Sequence, residues 1–228
     1  MEQEVVEKDL GSEVANIDLN AFGDGGLSSQ DIVIPKVLAM QGLSALVTEG
    51  KAKFGDLVSS LDKTVIGHVE DKPLEFIPFY LHKTWIISKK VGNKFIFDRI
   101  EDVTPANENK KWSEILDGAE YKNEKSLNFY SILPSDPSLP YIVQFKGTSS
   151  RAGRELATQM YVKNKASALT PAGKVMKLKG AKVSNDNGTY VVLGTEVSRT
   201  SKKEEVGTCL KWYATIKKGA TKADEEQF

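Results

Sequence analysis

The 228-residue chain has few of the features that disulfide-bonded, exported or membrane-spanning proteins share. Its single cysteine, Cys209, excludes an internal disulfide framework and is typical of a reducing compartment. No apolar run approaches the ~18 residues that a membrane-spanning helix requires. The acidic start MEQEVVEKDLGSE does not have the basic-then-apolar order of a signal peptide. We therefore expect a cytoplasmic protein with no membrane partner.

Residue patterns for catalysis are also scarce. The only two histidines, His68 and His82, do not have the spacing of a metal site or a catalytic site, and Cys209 lies in an apolar helical pattern. Neither a Walker-type phosphate loop nor a strand-linked G-x-G-x-x-G is present. We predict that the protein is not an enzyme and needs no cofactor or metal.

Charge is unevenly distributed along a chain whose formal net charge is zero. Residues 1–30 carry seven acids and one lysine, whereas residues 141–218 carry fifteen Lys or Arg and five acids. Residues 219–228 are acidic again, with three acids and one lysine. A basic body between acidic ends favours a polyanionic partner, although a solvated basic face balanced by acidic tails explains the same pattern.

The patterning predicts one mainly β (α+β) domain over residues 31–218, between a flexible acidic N-terminal arm (1–30) and a flexible acidic tail (219–228). About eight short strands, helices after Thr148 and after Lys202, and a hairpin at Asn187-Gly188 indicate an antiparallel barrel with one or two peripheral helices. Residues 101–125 are polar and irregular, with one helical turn at Trp112 to Leu116. We interpret them as a long surface insertion.

Aromatic and basic residues alternate in FYLHKTWIISKKVGNKFIFDR, as a surface that stacks bases and contacts phosphates requires. A period of two places Phe79, Leu81, Lys83 and Trp85 on one face of the strand and Tyr80, His82 and Thr84 on the other. Most of these aromatics belong in a core. The candidate nucleic-acid contacts here are Tyr80, Lys83, Trp85, Lys89, Lys90, Lys94 and Phe97.

Two further segments add basic candidates. FKGTSSRAGREL places Lys146, Arg151 and Arg154 around a helix start, which is an anion site unless its hydroxyls serve only as caps. In GKVMKLKGAKVSNDNG, Lys177 and Lys179 share a strand face, and Gly180 is a candidate bulge. Lysines on that strand suit either phosphate contacts or the protection of a sheet edge. This second segment contributes Lys174, Lys177, Lys179 and Lys182, with Tyr190 on the following strand.

The C-terminal sequence ADEEQF resembles the acidic tip of the single-stranded DNA-binding proteins of bacteria and T7-like phages. The matching residues are Asp224, Glu225, Glu226 and Phe228, while Gln227 departs from that pattern. The segments IPKVLAMQGLSALVTEGKAKFGD, YIVQFKGTSSRAGREL and NDNGTYVV resemble phage-encoded proteins of the same kind. The resemblance implies an OB-fold barrel in the host cytoplasm that binds single-stranded DNA without sequence preference. It also implies a tail that recruits a polymerase, helicase-primase, recombinase or nuclease.

Three functional hypotheses follow. The first is a single-stranded DNA-binding protein of phage replication or recombination, and the charge block and the terminal Phe favour it. The second is a structural or assembly protein of a virion, since the fold class alone fits both functions. The third, a nuclease or annealing enzyme, needs a carboxylate cluster that we do not find in the sequence. The sequence leaves a homodimer open.

Overall fold

A computed structural model describes residues 33–185 and 188–218. The strands are β1 (Lys36–Ala39), β2 (Asp56–Ser59), β3 (Val65–His68), β4 (Leu74–Val91), β5 (Lys94–Asp102), β6 (Ser113–Leu116), β7 (Ala119–Leu133), β8 (Asp136–Phe145), β9 (Lys174–Asn185) and β10 (Gly188–Thr200). The helices are α1 (Ala45–Thr48), α2 (Ser150–Thr158), α3 (Asn164–Ala166) and α4 (Lys203–Lys218), with a π-helical turn, Gln159–Lys163, between α2 and α3.

The ten strands form one sheet in the order β10-β9-β4-β7-β8-β1-β2-β3, with β5 added to β4 and β6 added to β7. Neighbours are antiparallel except for β1 and β8, which are parallel. The expectation of a mainly β, barrel-like fold with few helices is confirmed, because the sheet curls into a half-barrel. The finer assignment to the OB-fold stays a prediction.

One apolar cluster lies inside the curl. It joins Leu57 of β2, Phe129 of β7 and Leu178 of β9, which are far apart along the order of strands. Leu156 and Met160, on α2 and the π-helical turn, pack into the same cluster, four residues apart on one helical face. The amide of Gly180 donates to the carbonyl of Val69, which brings β9 beside the end of β3.

A second cluster lies on the opposite face of the sheet. Ile77, Tyr130 and Ile142 of the sheet meet Cys209 and Ile216 of α4 there. An ion pair fixes the start of α4, since Nη2 and Nη1 of Arg199 donate to the two carboxylate oxygens of Glu205 at 2.6 and 2.9 Å. The predicted C-terminal helix is therefore confirmed as a cover for this face.

Strand β4 contains an irregularity that the period of two does not anticipate. Its pairing with β7 shifts between Pro78 and Tyr80, so that Phe79 is an extra residue. Phe79 consequently packs beside Ile77 in the second cluster, while Leu81 packs against the cluster inside the curl. The prediction that Phe79 shares a face with Leu81 is wrong for this reason. The remaining part of the prediction, that Leu81, Lys83 and Trp85 share one face, is correct.

The segment predicted as an irregular insertion, residues 101–125, is mostly β-structure. Residues 103–112 form a loop and Asp117-Gly118 a turn, and the predicted helical turn at Trp112 to Leu116 is instead the start of a hairpin between β6 and β7. Four strands in the order β5-β4-β7-β6 thus extend from the half-barrel as an arm. We use "arm" for β5, β6 and the paired parts of β4 (84–91) and β7 (119–126).

The predicted hairpin of β9 and β10 is confirmed, with Asn185 paired to Gly188. Its register runs through Gly180 without interruption, and the irregularity lies between Val197 and Arg199. Gly180 is instead needed for close packing, because a Cβ there would lie 2.8 Å from Val191 and 2.9 Å from Val69. The predicted bulge at Gly180 is therefore wrong.

A basic and aromatic groove between the sheet and helix α2

A groove of about 660 Å³ lies between the β4–β7 ribbon and α2. Strands β4 and β7 form one wall, α2 the other, and the loop 103–112 closes one end. Four cations, two acids and two tryptophans are prominent in its lining: Lys83, Lys110, Lys125, Arg154, Glu108, Glu124, Trp85 and Trp112. The groove is therefore basic and aromatic, as the composition of these segments predicts.

Strand pairing explains why the sheet residues meet here. Lys83 is paired with Leu127 and Trp85 with Lys125, and residues opposite each other in an antiparallel pair share a face. Lys83 is exposed, and its ammonium group has no ion-pair partner within the part of the chain that the structure describes. It is consequently available to an anionic ligand.

Helix α2 approaches this wall unusually closely because residue 153 is glycine. A Cβ at Gly153 would lie 2.8 Å from Leu127 Cδ1 and 2.8 Å from Phe145 Cβ, closer than side-chain contacts allow. The close approach places Ser150 and Arg154, one helical turn apart, along the groove. The sequence prediction for Arg154 as a groove residue agrees with this position.

The loop 103–112 covers Trp85. The indole nitrogen donates to the carbonyl of Asn107 at 3.1 Å, and Lys125 Nζ lies 4.9 Å from the ring while donating to the carbonyl of Glu108. Only 4 % of Trp85 is exposed. Trp85 therefore lines the groove as sequence analysis expects, but its ring is packed rather than open for stacking.

An ion pair anchors the same loop to β5. Lys110 Nζ lies 2.6 Å from a carboxylate oxygen of Glu101, and the other oxygen accepts from Arg99 at 2.8 Å. These two hydrogen bonds hold the pKa of Glu101 below its usual value, and the bond from Lys110 contributes most. The loop that closes the groove is thus held by specific polar contacts.

The aromatic ring most open to a ligand in this groove is Trp112, which sequence analysis did not select. It is 57 % exposed, and Lys122 Nζ lies 4.5 Å from its ring centroid. The signal was present as Lys110-Lys111-Trp112, but the surrounding polar residues led to an interpretation as an insertion. Lys110 and Lys125 were missed for the same reason.

A buried amide lies between the loop and the sheet. Asn123 is 1 % exposed, and its Nδ2 donates to the carbonyl of Lys111 and to Glu114. Its Oδ1 has no hydrogen-bond partner among the described residues. Buried acceptors are nearly always satisfied in folded proteins, so this oxygen marks a polar point in the groove wall.

Lys146 lies beside the groove, next to its lining residue Gly147. Burial lowers the pKa of Lys146, and the charges of Lys36 and Lys122 lower it further, while Glu124 acts in the opposite direction. Three lysines therefore contribute positive potential around one carboxylate at this end of the sheet. Lys146 does not line the groove itself, and its predicted contact with nucleic acid stays a prediction.

The start of α2 is not organised as predicted. Ser149 occupies the position before the helix, but its hydroxyl accepts from the amide of Leu193 and makes no capping bond. Arg151 is paired with Glu155 at 3.0 Å on the solvent side of the helix. Of the three cations predicted around this helix start, Arg154 is the one that lines the groove.

Several predicted residues lie elsewhere. Tyr80 packs against Tyr130 and Tyr213 on the second face, with Lys217 above its ring at 4.6 Å. The arm carries Lys89, Lys90, Lys94 and Phe97. On the β9–β10 hairpin, the structure places Lys174, Lys177, Lys179, Lys182 and Tyr190. The tail residues Asp224, Glu225, Glu226 and Phe228 lie outside the described residues.

The lysines of the hairpin have polar partners. Lys179 pairs with Glu196, Lys182 with Glu70 at 3.4 Å, and Lys174 donates to the hydroxyl of Thr200. Lys177 stands between Glu75 and Glu196 on the neighbouring strands. This part of the basic block is thus partly neutralised. In the groove Glu101 neutralises Lys110 in the same way, but Lys83 has no ion-pair partner among the described residues, which favours the groove as a surface for an anion.

A smaller cavity of about 410 Å³ opens along β4, lined by Tyr80, Leu81, His82, Lys83, Val103 and Tyr161. The amide of Leu81 donates to the Tyr161 hydroxyl at 3.2 Å, and His82 lies 2.9 Å from Asp102. Within the described ranges, no group of three or more His, Cys, Asp or Glu is placed to hold a metal ion. None of the described helices is long and apolar enough to cross a membrane.

Fold and groove together define a class, a mainly β half-barrel with a basic and aromatic groove beside a helix. A family model described as Pam3 phage gp34-like protein matches residues 7–222, and the chain belongs to this family. It is therefore a phage protein, as the sequence resemblance implied. Comparisons with curated proteins and with solved structures found no match.

Proposed function

We propose that this phage protein binds single-stranded DNA without sequence preference along the groove, in phage replication or recombination. The observation that carries the proposal is that one groove brings together Lys83, Lys110, Lys125 and Arg154 with the exposed ring of Trp112. Four cations against two acids give the lining a net positive charge. No chemical step is part of the proposed activity.

The proposed binding mode assigns different tasks to the cations and to the aromatic ring. Lysine and arginine neutralise phosphates and release counterions, whereas a base stacks on an exposed ring with a gain of about 1–3 kcal/mol. Trp112 is the stacking surface, and Trp85 positions the loop 103–112 through its bond to Asn107. Engagement of three phosphates gives a slope of log K against log salt of about −2.

The acidic tail has a separate role in this proposal. Asp224, Glu225, Glu226 and Phe228 recruit a replication or recombination protein, with the ring in an apolar pocket of the partner and the carboxylates near its basic residues. Support for this role comes from the sequence resemblance. A chain truncated after Lys222 keeps the groove and loses the recruiting residues, so the two roles separate in experiment.

Fluorescence anisotropy with a labelled oligo-dT, titrated at several salt concentrations, tests the groove. The variant Lys83→Glu/Arg154→Glu reverses two groove charges and is expected to lose affinity at least ~10-fold at low salt and to flatten the salt dependence. Trp112→Ala is expected to lose a similar factor with an unchanged salt slope, because it removes stacking alone. Neither double charge reversal nor Trp112 truncation removes a buried contact of the body.

Lys211→Glu is the matched control, since Lys211 is exposed on α4, which packs on the opposite face of β4. It is expected to bind almost as the parent does. The proposal is wrong if the parent does not bind oligo-dT at low salt. It is also wrong if Lys211→Glu weakens binding as much as the double groove variant does.

A second candidate function is a structural or assembly role in the virion. The observation that favours it is the arm, on which apolar side chains such as Ile96 and Ile115 are exposed. Exposed apolar patches of this kind mark surfaces that other protein covers. This candidate predicts symmetric higher assemblies and an oligo-dT affinity with little dependence on salt.

A further inference from the structure

We propose that two copies of the chain associate through one face of the arm, forming a reversible two-fold dimer. This inference concerns a surface other than the groove and does not depend on DNA binding. We call the surface the arm face and define it by four side chains: Phe95, Phe97, Ile100 and Ile115.

Strand register places these four side chains on a common face. Phe95, Phe97 and Ile100 of β5 stand opposite Lys90, Ser88 and Ile86 of β4. Ile115 of β6 stands opposite Glu120 of β7. An ion pair of 2.6 Å between Lys90 and Glu120 links the two inner strands across the same face.

Exposure distinguishes the arm face from the sheet of the body. Ile115 is 74 % exposed, and Phe95, Phe97 and Ile100 are 42, 46 and 37 % exposed. These side chains leave two apolar areas in water, one on β5 and one on β6 with β4 and β7 between them, and a monomer rarely retains such exposed apolar surface without a function. The arm face is therefore a candidate for burial by another protein surface.

The charges on the arm face indicate which kind of protein surface covers it. Lys90 is neutralised by Glu120, and the neighbouring positions pair Ser88 with Lys122 and Ile86 with Glu124. The Glu124 carboxylate belongs to the groove lining, so the arm face carries the Lys90–Glu120 ion pair and Lys122, whose ammonium group lies over the ring of Trp112. This excess of one cation attracts a polyanion less than the groove does, and the central ion pair is compatible with the same pair of a second copy.

Area sets the strength of the association. Taking about 200 Å² as the full surface of each such side chain, the exposed fractions amount to roughly 400 Å² per copy. Two copies then bury roughly 800 Å² through these side chains, below the ~1,200 Å² of stable complexes. We therefore expect a weak dimer that forms and dissociates as the protein concentration changes.

Two-fold symmetry fits this geometry. In a closed dimer the same patch on each copy contacts its equivalent, so the patch must be compatible with itself. Apolar side chains at both edges of the arm, with the Lys90–Glu120 pair between them, satisfy that condition. Burial of this pair between two apolar surfaces also keeps both charges compensated.

Sedimentation velocity of the full chain tests the proposal. Protein concentrations of roughly 1 to 300 μM cover the range in which a weak dimer forms and dissociates. The parent is expected to shift from monomer to dimer, and Phe95→Asp/Ile115→Asp is expected to stay monomeric throughout. The matched control is Leu43→Asp/Leu210→Asp, which replaces two side chains that are 95 and 57 % exposed on the body. The control is expected to dimerise as the parent does.

Circular dichroism melts at low concentration show whether each variant folds, and we expect unchanged melting because none of the four positions is buried. The proposal is overturned if the parent remains monomeric at all concentrations, or if the arm variant dimerises like the parent. It is also overturned if the arm variant loses oligo-dT affinity while the parent stays monomeric, since the arm face then contacts nucleic acid. Lys83→Glu/Arg154→Glu is expected to dimerise normally, so a failed groove leaves this test intact.

Discussion

Strand β4 passes through two regions that differ in what covers them. From Leu74 to Ile87 most of its side chains are buried, because one cluster fills the curl and α4 covers the other face. From Ser88 onward the strand belongs to the far part of the arm, where Val91 and the facing residues of β5 are exposed. The same apolar-rich pattern is thus core in the body and surface in the arm.

A second difference separates the groove from the arm face. The groove collects cations around Trp112 and lies where the body meets the arm. The arm face has an ion pair at its centre and exposes aromatic and aliphatic side chains. Two interaction surfaces of different chemistry therefore share β4, one suited to an anion and the other to protein. The predictions below break or sharpen this contrast, beginning with the largest expected effect and ending with the smallest.

The largest contrast comes from the same substitution in the two regions. Phe129 is fully buried and packs edge-to-face against Phe145, with ring centroids 5.6 Å apart. Phe129→Ala is expected to lower the free energy of unfolding by about 3–5 kcal/mol, through lost burial and a cavity. Phe95→Ala on the arm is expected to change it by less than ~0.5 kcal/mol at concentrations where the chain is monomeric.

Urea unfolding followed by circular dichroism measures both values. A loss for Phe95→Ala comparable to that for Phe129→Ala would contradict the contrast, because it would show that the arm face is already packed within a single chain.

The second prediction concerns the close approach that shapes the groove. Gly153→Ala places a methyl group 2.8 Å from Phe145 Cβ, which cannot move without the strand. Overpacking costs about 1–3 kcal/mol, and the better helix propensity of Ala returns about 1 kcal/mol. We therefore expect net destabilisation of about 1 kcal/mol and weaker oligo-dT binding as α2 moves outward.

Gly207→Ala in α4 is its control, since a Cβ there meets nothing within 4 Å. That variant is expected to gain about 0.5–1 kcal/mol in chemical denaturation. If both glycine variants stabilise the protein, the groove wall is more compliant than the structure indicates.

Several of these features follow from the sequence alone. The helix after Ser149, the C-terminal helix and the β9–β10 hairpin are all predicted from apolar spacing and turn residues. Lys83 and Trp85 are also placed correctly on one face. These are local patterns, and local patterns are what a periodicity measures.

Other features depend on contacts that spacing does not encode. The extra residue at Phe79 changes the face on which the following side chains lie. Pro78 just before it is the signal for this bulge, because proline within a strand is found at edges and bulges, but a period of two does not use that signal. Strand β6 is exposed at nearly every position, so the apolar–polar alternation that identifies a half-buried strand is lost there. The acid partners of Lys179 and Lys182 come from another strand and from a distant loop, so the hairpin looks more basic in sequence than in space.

The third prediction uses pH to probe the covered face under α4. Burial raises the pKa of Cys209 from 9.0 to about 12, so the native state holds a proton that the unfolded chain releases. The contribution of this thiol to the free energy of unfolding is fully present below pH 9 and is lost as the pH rises toward 12. The parent is expected to lose about 1–2 kcal/mol more than Cys209→Ala between pH 8 and roughly 10.5.

Guanidinium titrations of both proteins at the two pH values give this difference directly. Burial also raises the pKa of Tyr130 to about 12. Because Tyr130 is present in both proteins, its contribution to the pH dependence cancels in the comparison. An identical pH dependence in the two proteins would show that Cys209 is accessible to water in the native state.

The smallest effect belongs to the arm. Lys90 and Glu120 are both partly exposed, and an exposed pair contributes only about 0.2–1 kcal/mol to the stability of one chain. A double-mutant cycle with Lys90→Met and Glu120→Gln is expected to give a coupling in this range when the chain is monomeric, and less at high salt.

In the proposed dimer the same pair is buried, and removal of one partner leaves a charge without compensation. Each single variant is therefore expected to weaken dimerisation more than the double variant does, as sedimentation at high concentration reports. Additive effects on dimerisation would place the pair outside the interface. The cycle thus distinguishes two situations. In one the Lys90–Glu120 pair stays exposed to water, and in the other a second copy of the chain covers the arm face and buries the pair.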